Sequence, residues 1–374
     1  MRIALFSSGF NSSELRLQPW LTLNNIGLRL KSAGHDVWLV TDSYSKDPLP
    51  LPVQRFRTLR GTNSAEITAW IKYFKPERTV VSVSPFSLAT AGWYSALDPN
   101  NSLAFLPYAL YTCGELLNAR RYLSAFEFFG YGRNLLMPNS LWRQRLAQRF
   151  RGVVCQSQRT AKRLSGNVNY LVIPPGIDLS QWQMIESRSL TDEEQRIFLY
   201  LGSPKAIRGF DVLLEAMKRL PDNIFLRVLA RGLEESELTK LKSHFSKIGL
   251  ASRITLQGGW LTPADLRFEI QHAAAVVLPF VLVPSEIPVS VMEAIACGTS
   301  VIVSDIDGLP EAAGSAAIIV PAGNSMVLAE EMFALTANEQ RRHLLHEACF
   351  TRRQQYIDWD EVTKRWATAL DVQL

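Results

Sequence analysis

The strongest constraint on the fold is an alternation that runs almost the length of the chain. Short apolar runs rich in valine, isoleucine and leucine are separated by stretches with helical spacing of apolar residues. One series occupies residues 2–7, 36–41, 79–83, 153–156 and 170–173. A second occupies 197–202, 224–230, 253–257, 275–279, 300–304 and 317–320. Strands that lack polar alternation are buried on both faces, as in a parallel sheet covered by helices on either side. Residues 20–33 show the helical counterpart, broken by Gly34 before the next strand. Two such series predict an α/β protein of two Rossmann-like, doubly wound domains. With 374 residues, each domain has enough chain for its own core. The polar, unpatterned run 183–196 falls between the series and is read as the linker. The domains are then 1–182 and 197–355.

Composition narrows the class. Hydrophobic content of 47% and charged content of 20% are those of a soluble globular protein. A net charge of +5 suits an anionic ligand or a membrane surface and does not call for nucleic acid. Cys113, Cys155, Cys297 and Cys349 form no C-x-x-C pair, which predicts reduced thiols in a cytoplasmic protein. The start MRIALFSSGF reads as a first strand rather than a signal peptide. No apolar run approaches the ~20 residues of a membrane span, so the expectation is a protein that at most lies on the inner membrane surface. His343 and His346 share a helix face without a third ligand, and no metal site is expected. GYGRNL at 130–135 follows no buried strand and is discarded as a dinucleotide loop.

Residues 278–305, LPFVLVPSEIPVSVMEAIACGTSVIVSD, carry the most chemistry. They read as buried strand, polar loop, short helix, glycine stop and second buried strand. Pro288 suits a first helical turn, Ser285 or Glu286 can cap it, and Gly298 can end the helix in a left-handed conformation. The amides of Val289 and Ser290 would then face the loop and offer a site for an anion such as a diphosphate. Glu293, about a turn and a half further in, is placed to accept hydrogen bonds from a polyol such as a ribose.

This segment resembles the donor-binding signature of retaining glycosyltransferases of family 4, which adopt the two-domain GT-B fold. Glu293, Ala294, Ala296, Cys297 and Gly298 match its second half. The first half departs, because six residues separate Glu286 from Glu293 where the family has seven. Either the loop is one residue shorter or Ser285 holds the place of the first glutamate. In YLGSPKAIRGFDVLLEAM (200–217), Gly202, Arg208 and Gly209 match the family's basic loop, with Ser203 where the first basic residue is usual. The resemblance makes Arg208 the cation for the departing diphosphate, with Lys205 standing in for the missing partner. It also implies that Gly259, Trp260 and Leu261 cradle the base, and that the loop of Gly9 approaches the donor phosphates or the acceptor. Gly308 and Glu311 recur in the family's loop after the next strand. Pro175–Gly176–Ile177–Asp178 matches the turn that closes the first domain, and the last helix, within 356–374, is expected to cross back onto it. Many relatives present a histidine from the first domain near the sugar; none lies near 108–115, where Tyr111 or Glu115 could fill the space.

Residues 116–151 stand apart, with seven arginines, one acid (Glu127) and a run of aromatics. Two readings fit: an amphipathic surface for anionic lipid or a lipid-linked acceptor, or a helical insertion with core aromatics and solvated arginines.

The expectation is a glycosyltransferase moving a sugar from a UDP- or GDP-sugar donor to the hydroxyl of a glycan or lipid-linked acceptor. Arg208, Glu286 and Glu293 form its expected catalytic set. Gly9, Gly202, Lys205, Gly259, Trp260, Leu261, Ser285, Pro288, Val289 and Ser290 complete the donor site, and no cofactor or metal is expected. The alternatives are a non-catalytic partner subunit that keeps the nucleotide site and, more remotely, a nucleotide-sugar epimerase.

Overall fold

A computed structural model of the chain describes residues 1–59, 64–164, 168–185, 190–282 and 285–374. Residues 186–189 of the expected linker and Pro284 of the PSEIP loop lie outside them. The strands are β1 (Arg2–Phe6), β2 (Asp36–Thr41), β3 (Val53–Arg55), β4 (Arg78–Ser82), β5 (Ser102–Leu106), β6 (Gly152–Cys155) and β7 (Tyr170–Val172), then β8 (Ile197–Leu201), β9 (Phe225–Ala230), β10 (Ile254–Gly258), β11 (Ala275–Leu278), β12 (Val301–Ser304) and β13 (Ala317–Val320). They build two sheets in which the pairings are parallel, ordered β3-β2-β1-β4-β5-β6-β7 and β10-β9-β8-β11-β12-β13. In each, chain order reverses beside the first strand: β1 lies between β2 and β4, and β8 between β9 and β11. Open α/β sheets bind ligands beyond the carboxyl ends of their strands at such a point.

Two strands were not foreseen. β3 is short and marginal, with no fully buried residue. β5 is buried throughout, and its sequence SLAFL runs straight on into further apolar residues, so no polar boundary marks its end.

The final helix, Trp359–Leu370, packs on the first domain. Trp366 is fully buried and meets Phe105 of β5 edge to face at 5.2 Å, and Arg78 at the start of β4 donates to the Leu370 carbonyl at 2.5 Å. The returning chain also pairs with the predicted turn, since the Ile177 amide donates to the Ile357 carbonyl at 3.0 Å. At Gly176 a Cβ would come within 2.8 Å of the Trp359 ring.

The basic, aromatic stretch forms the helices Cys113–Ala119, Ala125–Leu135 and Asn139–Arg149. Both readings of it hold in part. Trp142 and Phe150 are buried in the first domain, while Leu116 and Ala119 join the core of the second. Phe126 and Phe129 are 87% and 72% exposed. Arg121 and the Tyr122 hydroxyl both donate to the Gly323 carbonyl, tying the insertion to the second domain. Among the described residues no helix is long and apolar enough to cross a membrane.

Candidate functional site

The helix anticipated from 278–305 is present as Val289–Ala296 and is buried along almost its whole length. Its start differs from expectation. Pro288 occupies the cap position itself, in an extended conformation, and no side chain caps the first turn. Ser285 and Glu286 therefore do not cap it. The first N–H groups of a helix have no partner within it. Here no side chain competes for those of Val289 and Ser290. The other end is as predicted: Gly298 adopts φ +84°, its amide donates to Ile295 and the next amide, of Thr299, to Ala294. That double closure fixes the helix direction.

The start of this helix faces a crevice between the lobes. Val289 and Glu293 line a cavity of about 170 Å³ with Trp260 and Leu261, and the far wall comes from Arg16 and Leu21 of the first domain, the 176–182 turn and Trp359. Glu293, only 8% exposed, takes a 2.9 Å ion pair from Arg231, which follows β9. Trp260 is flanked by two guanidinium groups, Arg16 at 5.2 Å and Arg231 at 5.9 Å from the ring centroid. Arg231 and Arg16 were not found from sequence. For Arg231 a signal existed, because it stands just past the carboxyl end of a strand beside the switch point. Arg16 comes from the opposite lobe, which no local pattern could show.

Arg208 sits in the loop after β8, over the Phe280 ring at 5.3 Å. No carboxylate pairs with it among the described residues. Burial pulls its pKa down, opposed by Tyr200 and reinforced by the positive charge of Arg231 nearby. A desolvated cation without a counter-ion is predisposed to take an anion. Two glycines make this placement feasible. A Cβ on Gly202 would lie 2.3 Å from the guanidinium, and one on Gly209 would lie 1.7 Å from the Pro279 carbonyl oxygen. Lys205 is exposed in the same loop.

Three predicted residues are placed differently. Glu286 is fully buried with its carboxylate turned to the first domain, accepting from the amides of Gln156 (2.5 Å) and Ser157 (2.8 Å) and from the Ser157 hydroxyl (2.6 Å). Both oxygens are occupied, so it is not arranged as a sugar ligand. Burial raises its pKa from 4.5 to about 7, against those hydrogen bonds. Glu311 grips the next two amides, of Gln158 and Arg159, and Arg163 pairs with Asp307 at 3.1 Å. Gly308 permits the approach, since a Cβ there would sit 2.5 Å from the Glu286 carbonyl. Gly9 gives its amide to Asp42 and is not among the residues lining the crevice. Gly259 forms a left-handed turn that presents Trp260 rather than lining the crevice itself. Ser285 is half-buried beside these residues. Glu115, suggested in place of a histidine, pairs with Arg163 at 2.5 Å, and Tyr111 bonds the Tyr131 carbonyl at 2.8 Å. Among the described residues, no group of three His, Cys, Asp or Glu could hold a metal ion.

Comparison with known proteins identifies the fold. Residues 183–350 match the model of the family "Glycosyl transferases group 1". The whole chain superposes on solved two-domain proteins of low identity. Sucrose-phosphate synthase from Thermosynechococcus elongatus is 18% identical, with a TM-score of 0.72 over 99% of this chain and 98% of its own. HepE of Anabaena, solved with UDP and glucose, is 15% identical, with a TM-score of 0.73 over all of both chains. WaaG, a glycosyltransferase of lipopolysaccharide biosynthesis, is 17% identical, with a TM-score of 0.67 over 98% and 99%. No curated protein matches the sequence. The fold is that of GT-B glycosyltransferases, two Rossmann-like domains facing a cleft.

Proposed function

We propose that the protein is a glycosyltransferase that moves a hexosyl unit from a UDP- or GDP-sugar to an acceptor hydroxyl in glycan, polysaccharide or glycolipid assembly, with retention of anomeric configuration. The observation that carries this is the convergence of Trp260, Leu261, Val289 and Glu293 on one interdomain crevice, at the uncapped start of a buried helix. In this reading the base lies against Trp260 and Leu261. The ribose hydroxyls donate to Glu293, held in orientation by Arg231. The diphosphate takes hydrogen bonds from the Val289 and Ser290 amides, with Arg208 as its cation and Lys205 at the loop's rim. As the glycosidic bond breaks, charge builds on the diphosphate, and donors already fixed in a buried site stabilise it without reorganisation. The cations in this scheme are the side chains of Arg208 and Lys205, with no metal or cofactor.

The exposed Phe126 and Phe129, among the arginines of 116–151, suit peripheral contact with the inner membrane surface of the cytoplasm, where a lipid-linked acceptor would be met. The engagement of Glu286 by the first domain favours a second reading, a partner subunit that binds the donor without transferring its sugar. The test is a thermal-shift screen against UDP, GDP and their sugars, followed by donor turnover. Stabilisation with turnover supports the transferase; stabilisation with no turnover under any acceptor supports the partner subunit. No stabilisation by any nucleotide would sink both.

A further inference from the structure

The first domain holds two adjoining cavities that the donor reading leaves unassigned. One, of about 440 Å³, opens beyond the carboxyl ends of β1 and β4; the other, of about 370 Å³, lies beside it. Ser84, Tyr108, Tyr131 and Asn134 line both, so the two lie against one another.

Their walls differ in chemistry. In the larger cavity Ser7 is 1% exposed, and its hydroxyl has no hydrogen-bond partner; the Ser82 hydroxyl is buried and unpartnered as well. Adjacent serines are not in this position. Ser8 donates to Asp42, and Ser84 and Ser87 satisfy one another at a helix start. Buried hydroxyls are normally paired, so two left open on one cavity wall point to a polyhydroxyl ligand. In the smaller cavity the buried Nε of Arg143 has no partner, while its Nη2 donates to the Arg163 carbonyl at 2.5 Å. No carboxylate pairs with Arg143 among the described residues. Arg163 beside it is neutralised by Glu115 and Asp307. Arg133, on the larger cavity, lies over Phe86 at 5.1 Å, also without a carboxylate. The only acid among the described lining residues is Glu127, and its carboxylate turns back to cap its own helix at Ser124. The larger cavity thus combines unpartnered hydroxyls with the guanidinium of Arg133, and the smaller adds that of Arg143, neither with a carboxylate among the described residues.

We propose that these cavities are the acceptor site and that the acceptor is an anionic sugar. Its ring hydroxyls bond Ser7 and Ser82, and its phosphate or carboxylate meets Arg143. The proposal rests on the transferase reading and adds the chemical class of its second substrate.

Titration calorimetry with D-glucose 6-phosphate, D-glucuronate and D-glucose as probes tests it. At least one anionic sugar is expected to bind tenfold or more tightly than glucose, with an advantage that shrinks as salt is raised. Arg143→Gln should abolish the advantage, Arg143→Lys should keep part of it, and Ser82→Ala should weaken all three probes. Preference for the phosphate identifies a sugar phosphate; preference for the carboxylate identifies a uronate. Glucose binding as tightly as both anions, an advantage that survives Arg143→Gln, or no anionic binding at millimolar concentration would overturn the proposal. Should Arg143→Gln fail to fold, Arg143→Lys and the salt series still decide. UDP is titrated in parallel. GDP is titrated likewise; binding of whichever nucleotide is taken should be the same in wild type and Arg143→Gln, and failure of wild type to bind either would count against the transferase reading and not against the cavities.

Discussion

Glu286 and Glu293 stand within one loop and two turns of helix, and they face opposite ways. Glu293 belongs to the helix, pairs with Arg231 of its own domain and looks into the crevice. Glu286 belongs to the loop, crosses to the other domain and is closed in by its backbone amides. Helical geometry fixes where a side chain points once the helix is known. A loop carboxylate goes wherever unpaired donors are, and here they belong to Gln156 and Ser157. Two acids that look alike in sequence therefore meet different surroundings, one the crevice and one the backbone of the other lobe.

Substitutions should pull these two roles apart. The largest effects belong to the crevice. Arg208→Ala is expected to lower kcat by about 10²–10³, the range for losing one preorganised donor to developing charge. Glu293→Ala should cut kcat/KM for the same donor and also lower Tm, because it leaves Arg231 without its partner in a largely buried pair. Normal turnover in either would erase the distinction drawn here. Trp260→Ala should follow with a roughly tenfold rise in Kd for the nucleotide, as expected for losing one aromatic contact of about 1–1.5 kcal/mol.

Glu286→Gln should act through pH instead. The docked carboxyl holds its proton more tightly than a free one, with a pKa of about 7 against 4.5. Its contribution to docking is therefore complete below pH 4.5 and is lost as pH rises through about 7. Melting curves between pH 4.5 and 8 should show wild type losing stability across that window and Glu286→Gln losing less. Parallel curves would mean that Glu286 does not couple docking to protons. The smallest effect is expected from Phe126→Ser with Phe129→Ser, which should leave Tm within about a degree or two because both rings are exposed. Loss of sedimentation with anionic vesicles in that double variant would assign the rings to lipid.

Much of the second domain was legible because its chemistry lies on regular elements. All six of its strands, the Val289–Ala296 helix and the Gly298 stop follow from period, apolar runs and glycine placement. The first domain was less so. β5 was hidden in unbroken apolar sequence, and the aromatics of 116–151 divide among two cores and the surface, which composition alone does not resolve. In the site, Glu293, Trp260 and Leu261 line one crevice and Arg208 stands in the loop after β8, all on segments that the motifs mark, whereas the direction of Glu286 depends on a neighbour about 130 residues away. Arg16 was beyond reach for the same reason.

The return of the last helix to the first domain has a mechanical outcome. The polypeptide passes from lobe to lobe twice, after Trp182 and again before Trp359, and the two passages are stitched together where Ile177 meets Ile357. A body hung on two neighbouring threads cannot tumble freely; it pivots about the line that joins them. Gaping of the jaws is thus confined to roughly one arc, and it must work against the hold that Glu286 and Glu311 keep on the other lobe.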